Sequence, residues 1–270
     1  MRYFIIFFIS IIFDISISHS DNNIIKILST TSTRDSGFFN YILPKFEKQF
    51  NANVYVIATG TGQAIQNDIH CNGDILITHA TDIQEQFIKD GFGDSRHELM
   101  YNYFIIIGPK NKNISDSNNI LDVFKNIAKS ELKFISRGDN SGTDISEKKL
   151  WELADINITN HSGSWYLETG QGMGPSLNIA IATNSFIYTD RATWLKFQNK
   201  QEHEIKFSGD ERMFNQYGIV KINPDHCDNL NLMYSNLFFN WITSKHGQSL
   251  INNYKYNGHP LFFPNHNDIE

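Results

Sequence analysis

Ile25 to Gly37 reads I-K-I-L-S-T-T-S-T-R-D-S-G, and Leu132 to Thr143 reads L-K-F-I-S-R-G-D-N-S-G-T. Both begin with an apolar run suited to a buried strand, pass through Ser into a loop of hydroxyls and glycine, and continue as a helical pattern. The carboxyl end of a strand opening onto a helix N-terminus is where open α/β sheets bind ligands. Two such junctions, about 110 residues apart, predict two similar lobes whose loops face each other. Taken singly, each reads first as a plain helix cap, since Ser and Thr are ordinary N-cap residues.

Outward from these junctions the chain keeps alternating. Strands are expected at Ile24–Leu28, Asn53–Ala58, Asp74–Thr78, Phe104–Ile107, Lys133–Ser136, 185–189 and 217–222. Helices are expected over Phe39–Phe50 with a kink at Pro44, then Gln63–Ile69, Asp82–Lys89 and Ile120–Ser130, one ending near Leu153, and finally Leu230–Thr243 and Gln248–Tyr254. Such alternation predicts an α/β fold with mostly parallel sheets. Residues 24–107 together with 218–265 are expected to form lobe I, and 108–217 lobe II, with crossovers near Ile107–Gly108 and Gln216–Tyr217.

Composition bounds the function. The 270 residues are 40% hydrophobic and 19% charged, too apolar for disorder and enough for two modest cores. With 29 acidic against 23 basic residues the formal net charge is −6, which argues against nucleic acid as a partner. Six Pro and 17 Gly exclude collagen-like and Pro-rich low-complexity classes. At the N-terminus Arg2 precedes the apolar run Phe4–Phe13, and Ser16-Ile17-Ser18 offers small residues for cleavage. The run is shorter than the roughly 18 residues that span a bilayer, so residues 1–18 read as a cleaved signal peptide. A buried strand or an uncleaved anchor is the alternative. No lipobox cysteine follows, so the mature protein is expected free in the periplasm. There Cys71 and Cys227 either form one disulfide, if their Cα atoms lie within about 7 Å, or remain two thiols.

The loops have a definite chemistry. Ser29, Thr30, Thr31, Ser32 and Thr33 form an unbroken run of hydroxyls before a helix, whose free N–H groups and dipole favour anions. The second junction adds Arg137, whose planar guanidinium can hold two oxygens at once, with Ser141, Gly142 and Thr143 beyond it. Thr59-Gly60-Thr61-Gly62-Gln63 is a third junction of this kind, and no Lys follows its second Gly as a Walker loop requires. Many neutral donors around one Arg describe a pocket for a small oxyanion. Roughly six to eight hydrogen bonds to a charged group, at about 1.5–3 kcal/mol each, offset its dehydration without further cations.

Other constellations are weaker. None of the ten histidines shows zinc spacing. A secreted serine hydrolase is the reading from another class, with Ser141 as nucleophile and His161 or His79 as base, but no G-x-S-x-G elbow is present. Glu168 and Asp190 as a carboxylate pair, and Trp165-Tyr166 or Phe238-Phe239-Trp241 as a ligand cage, read better as bracing and core.

Several further stretches carry a family resemblance: S-T-T-S-T-R-D-S-G (29–37), L-P-K-F-E (43–47), A-T-G-T-G-Q-A (58–64), M-Y-N-Y-F-I-I-I-G-P-K (100–110), S-R-G-D-N-S-G-T (136–143), W-Y-L-E-T-G-Q-G-M-G (165–174) and L-F-F-P (261–264). In this order the chain resembles the TupA-type tungstate-binding receptors of ABC importers, which have the two-lobed type II periplasmic-binding-protein fold with a ligand cleft between lobes. The resemblance implies a non-enzymatic receptor for tungstate, with molybdate as competitor. It implies a separate ABC permease and its ATPase as partners, a monomer, and no cofactor. Ser29, Thr30, Thr31, Ser32, Thr61, Arg137, Ser141, Gly142 and Thr143 are then the expected anion-binding residues. Two positions depart from the family pattern, Ser29 in place of Thr and Asp144 in place of His. A carboxylate at Asp144 facing the cleft would instead suit a phosphate receptor, since phosphate carries a proton near neutral pH. A phosphate or sulfate receptor of the same fold is therefore the alternative, and Asp139 and Asp144 as loop and helix-cap residues the plainer account.

Overall fold

The computed structural model describes residues 23–114 and 116–266. The expected signal peptide lies outside them. Among the described residues no helix is long and apolar enough to cross a membrane. In chain order the elements are β1 (Ile24–Thr30), α1 (Thr31–Asp35), α2 (Phe38–Phe50), β2 (Asn53–Thr59), α3 (Thr61–Ile69), β3 (Ile75–Thr78), α4 (Thr81–Lys89) and β4 (Gly93–Pro109). There follow α5 (Ile120–Lys129), β5 (Phe134–Ser136), α6 (Gly142–Leu153), β6 (Tyr166–Glu168), α7 (Met173–Ala182), β7 (Phe186–Asp190) and α8 (Arg191–Lys196). The last are β8 (His203–Phe207), β9 (Phe214–Ile222), α9 (Leu232–Thr243) and α10 (Lys245–Asn252).

The strands line up in the order β2-β1-β3-β9-β4-β7-β5-β6. The sheet is mixed. Parallel pairing, as expected, joins β1 to β2 and β3, and β5 to β6 and β7. Antiparallel pairing joins β9 to β3 and β4, and β4 to β7 and β8. Those antiparallel pairs arise because β9 runs against β1–β3, while β4, which runs with them, lies against β9, β7 and β8, an arrangement that no run of strand–helix units announces.

Length is the other departure. β4 starts at Gly93, eleven residues before the apolar run at Phe104. Its first part, G-D-S-R-H-E-L-M-Y-N-Y, is half-exposed and interrupted by register shifts against β9 between Gly93 and Arg96 and between Glu98 and Met100. Neither a clean alternation nor an apolar run survives there for sequence reading to detect. β4 pairs with β9 through Tyr103 and with β7 from Phe104 onward.

Each half of the sheet has cores on both faces. Ile25, Ile27, Ile75 and Ile77 pack with α2 and α9 residues such as Phe46 and Phe238, while Leu28 and Leu76 face Ala64 and Phe87 of α3 and α4. Helix α5 shows the logic locally. Ile120, Val123, Phe124 and Ile127 recur at helical spacing and are all buried, and the Asn119 side chain accepts the Leu121 N–H at 2.9 Å to start the helix. Pro44 lies within α2 without ending it. Cys71 and Cys227 form a disulfide, their Cα atoms 5.6 Å apart.

One core residue has a pH signature. Glu147 is fully buried, accepting the Tyr166 hydroxyl at 2.8 Å and Trp151 Nε1 at 3.0 Å. Burial pushes its carboxyl up to about 8. The folded state thus holds a proton that the unfolded chain releases above pH about 4.5, so stability falls as pH rises from there to about 8. Urea unfolding of Glu147→Gln should lose that decline and gain on the order of 3 kcal/mol over the parent chain at pH 8. Parallel pH profiles for parent and variant would refute it.

Candidate functional site

The carboxyl ends of β1, β2 and β3 and of β5 bring the predicted loops together. Thr30 caps α1, and its Oγ1 lies 2.8 Å from Thr33 Oγ1 and 3.0 Å from Ser32 Oγ. Thr31 opens α1. Across from it Arg137 is buried, 2% exposed, with Nη2 donating to Asp139 Oδ2 and, at 3.5 Å, to Thr31 Oγ1. Its Nε and Nη1 are buried with no partner, as is Thr143 Oγ1. Four unpaired N–H and O–H functions of this kind are costly in a finished interior and point to a missing acceptor. Ser141 caps α6 by accepting the Asp144 N–H, and Gly142 is the first residue of that helix. Between the loops lies an open cavity of about 460 Å³ lined by Gly60, Gly62, Gln63, Asp139 and Asn140. Arg137, Thr31 and Thr143 line neither this cavity, which adjoins them through Asp139, nor a larger hollow of about 720 Å³ around Lys148, Asn157 and Glu168.

Two expected residues stand differently. Ser29 shares the strand face of Ile25 and Ile27, and its hydroxyl donates to the Ile77 carbonyl at 2.7 Å. Its hydrogen is spent on β3, so it leaves the donor set. Thr61 is the first residue of α3, two residues ahead of the expected start at Gln63, but its side chain is outside what the structure describes.

The two acidic residues take the plainer roles. Asp144 is fully buried and accepts Gly138 N–H at 3.1 Å, Asn140 N–H at 3.0 Å and Ser136 Oγ at 3.3 Å, besides pairing with Lys148 at 3.0 Å. It shapes the 138–140 turn and stabilises the start of α6. Gly138 permits that turn, having φ +60° and no room for a Cβ against Glu168. Asp139 accepts the Ser141 N–H at 3.2 Å through Oδ1 while Oδ2 holds Arg137.

Sequence reading missed His79 as a part of the site. It follows β3, whose end is parallel to β1, and that shared sheet edge is the signal that could have found it. Its Nε2 lies 3.0 Å from Ser32 Oγ and its Nδ1 2.9 Å from Asn215 Oδ1. A Cβ on Gly142 would stand 2.8 Å from the ring, so α6 can approach His79 only as glycine. Burial and the charge of Arg137 push the imidazole down to about 4. The N-terminus of α7 was missed as well. Gly172, its cap residue, makes no side-chain cap bond, and a Cβ there would stand 3.9 Å from Thr31 Oγ1. Among the described residues the hydrolase arrangement is absent: His79 is bonded to Ser32, and His161 lies tilted against Trp165. Glu168 and Asp190 have separate partners, and Trp165, Tyr166, Phe238 and Trp241 belong to the cores.

Residues 17–246 match the model of the PBP superfamily domain. Over 248 residues the chain is 39% identical to the tungstate-binding protein TupA of Peptoclostridium acidaminophilum, covering 89% of this chain and 85% of that protein. The solved structure of the tungstate-binding protein TupA from Desulfovibrio alaskensis has a TM-score of 0.77 at 34% identity, covering 90% of this chain and 99% of that one. That of the tungstate ABC transporter from Geobacter sulfurreducens has a TM-score of 0.78 at 38% identity, covering 86% and 98%. With the motifs and the fold in agreement, this chain belongs to the PBP superfamily and, within it, to the family of TupA proteins.

Proposed function

We propose that the chain is an extracytoplasmic, non-enzymatic receptor that captures tungstate, with molybdate as a competitor, and hands it to an ABC permease driven by its ATPase. The observation that carries this is the buried, partnerless Nε and Nη1 of Arg137 together with Thr143 Oγ1. A fully deprotonated dianion supplies acceptors alone, which is what such donors lack. Thr30, Thr31, Thr61, Ser141, the Gly142 backbone and, after the rearrangement argued below, Ser32 complete the donor set. The protein works as a monomer in the periplasm once its leader is removed.

The two lobes close about β4 and β9. The change of β4 partner after Tyr103 and the start of β9 at Phe214 favour hinge strands a few residues ahead of Ile107–Gly108 and Gln216–Tyr217. Ligand contacts from both lobes exist only when closed, which shifts the balance toward that form.

Phosphate is the weaker reading. Its proton needs an acceptor, and both oxygens of Asp139 and of Asp144 are already engaged. Sulfate shares the charge of tungstate but is smaller, and the relatives named for tungstate weigh against it. A thermal-shift panel decides, because a ligand bound by the folded state alone raises its stability. Tungstate and molybdate should raise Tm by several degrees at concentrations about 100 times Kd. Phosphate in large excess at mildly alkaline pH should neither raise it nor displace tungstate. A phosphate response equal to that of tungstate would overturn the assignment.

A further inference from the structure

The hydroxyl of Ser32 belongs to a hydrogen-bond chain that fixes its direction. At the far end Asp190 accepts the Thr193 N–H at 2.8 Å and the Thr193 hydroxyl, so it faces Asn102 as an acceptor. Asn102 therefore turns Nδ2 toward Asp190, at 3.4 Å, and Oδ1 toward Asn215. Asn215 donates Nδ2 to that oxygen at 2.6 Å, which leaves its Oδ1 facing His79. The imidazole must then carry its hydrogen on Nδ1, and Nε2 accepts the hydrogen of Ser32. In the absence of ligand, Ser32 has no hydrogen left for an anion.

The charges point the same way. Arg137 is already paired with Asp139, so its positive charge is largely balanced before any ligand arrives. A captured dianion adds two negative charges beside a buried imidazole that is neutral at working pH. We propose that His79 is a positioning residue for the oxyanion, and that capture takes up one proton from solvent onto its Nε2. The new Nε2–H donates to Ser32 Oγ, and the Ser32 hydrogen turns to an oxygen of the ligand. No other bond is made or broken, and the charge added by the proton offsets half of the charge of the ligand.

The groups packed on the ring leave His79 as the one that responds. Tyr217 of β9 stacks on it at 5.0 Å with a hydroxyl held well above its ordinary range by burial. Phe104 of β4 and Gly142 of α6 are without charge, Ser32 of α1 and Asn215 of β9 do not titrate here, and Arg137 opposes protonation until the anion outweighs it.

This proposal rests on the tungstate reading above, and calorimetry separates the two. Tungstate is titrated into the protein at pH 7 in two buffers of different ionisation enthalpy, and again toward pH 9. Uptake should be close to one proton per anion at pH 7, where affinity should fall by up to about tenfold per pH unit, and both the uptake and the fall should fade once the pKa of the complexed imidazole is passed. His79→Gln, which cannot take a proton, should bind more weakly with no uptake. In parallel, imidazole ¹⁵N shifts should show Nε2 unprotonated in the free protein and both nitrogens protonated in the complex. Binding without uptake in the parent protein, or equal uptake in the variant, overturns the proposal while leaving the receptor function intact. No binding heat and no competition at all would overturn the tungstate reading itself.

Discussion

Arg137→Ala is expected to weaken tungstate binding at least about 100-fold while leaving the unliganded protein almost as stable as before. Two hydrogen bonds from a guanidinium to a dianion contribute about 1.5–3 kcal/mol each, so losing both exceeds two orders of magnitude. Stability responds differently because Nε and Nη1 have no partner in the unliganded fold. Deleting them removes a cost as well as a contact, and Asp139 keeps its bond from the Ser141 N–H. We therefore expect a Tm within about 2 °C of the parent. Arg137→Lys keeps the charge but not the planar fork, and should fall between the two, about tenfold weaker than the parent. Calorimetric titration with tungstate, paired with thermal unfolding in its absence, checks all three. Unchanged affinity in the alanine variant would remove Arg137 from the site.

The second large effect is on folding. Replacing Cys71 and Cys227 together by Ser should cost about 3–5 kcal/mol, read as a lower urea midpoint. The bridge joins positions 156 residues apart, tying the turn after α3 to the segment between β9 and α9. A loop this long has much conformational freedom to lose, so cross-linking it restricts the unfolded chain strongly. Reduction of the parent protein should reproduce the loss. A chelator belongs in that experiment, because the ligand atoms of Cys71, His226 and Cys227 lie within 4.8 Å of one another and reduced thiols there would offer a metal three ligands. An unchanged midpoint in the double variant would show that the bridge does not hold the fold.

What could be read in the sequence follows from where local chemistry and tertiary geometry agree. The runs at Ile27–Leu28 and Phe134–Ile135 are apolar and buried on both faces because they lie between helices, so their ends, and the hydroxyl loops after them, stand out. Arg137 stood out as a lone guanidinium among neutral donors. Ser29 did not reveal its inward direction, because that depends on strand parity and on the position of the Ile77 carbonyl. His79 is a single histidine in I-L-I-T-H-A. Nothing in those letters shows that Ser32 is 3.0 Å from its Nε2. The antiparallel pairing of β4 with β9 was hidden for a related reason: its register is set by a partner more than a hundred residues away.

That partner has a consequence for how the molecule is made. β9 is inserted between β3 and β4, so the strands synthesised first meet the remainder of the sheet only through one synthesised late. Until residues 214–222 arrive, β3 and the first part of β4 each present an unpaired edge, and the central contacts wait on the slow closure of a long loop. The nascent protein is consequently held open through most of its synthesis, at some risk of sticking to its neighbours. An open chain is also the form that can be threaded through a membrane, and here the order of strands itself delays the moment at which threading would become impossible.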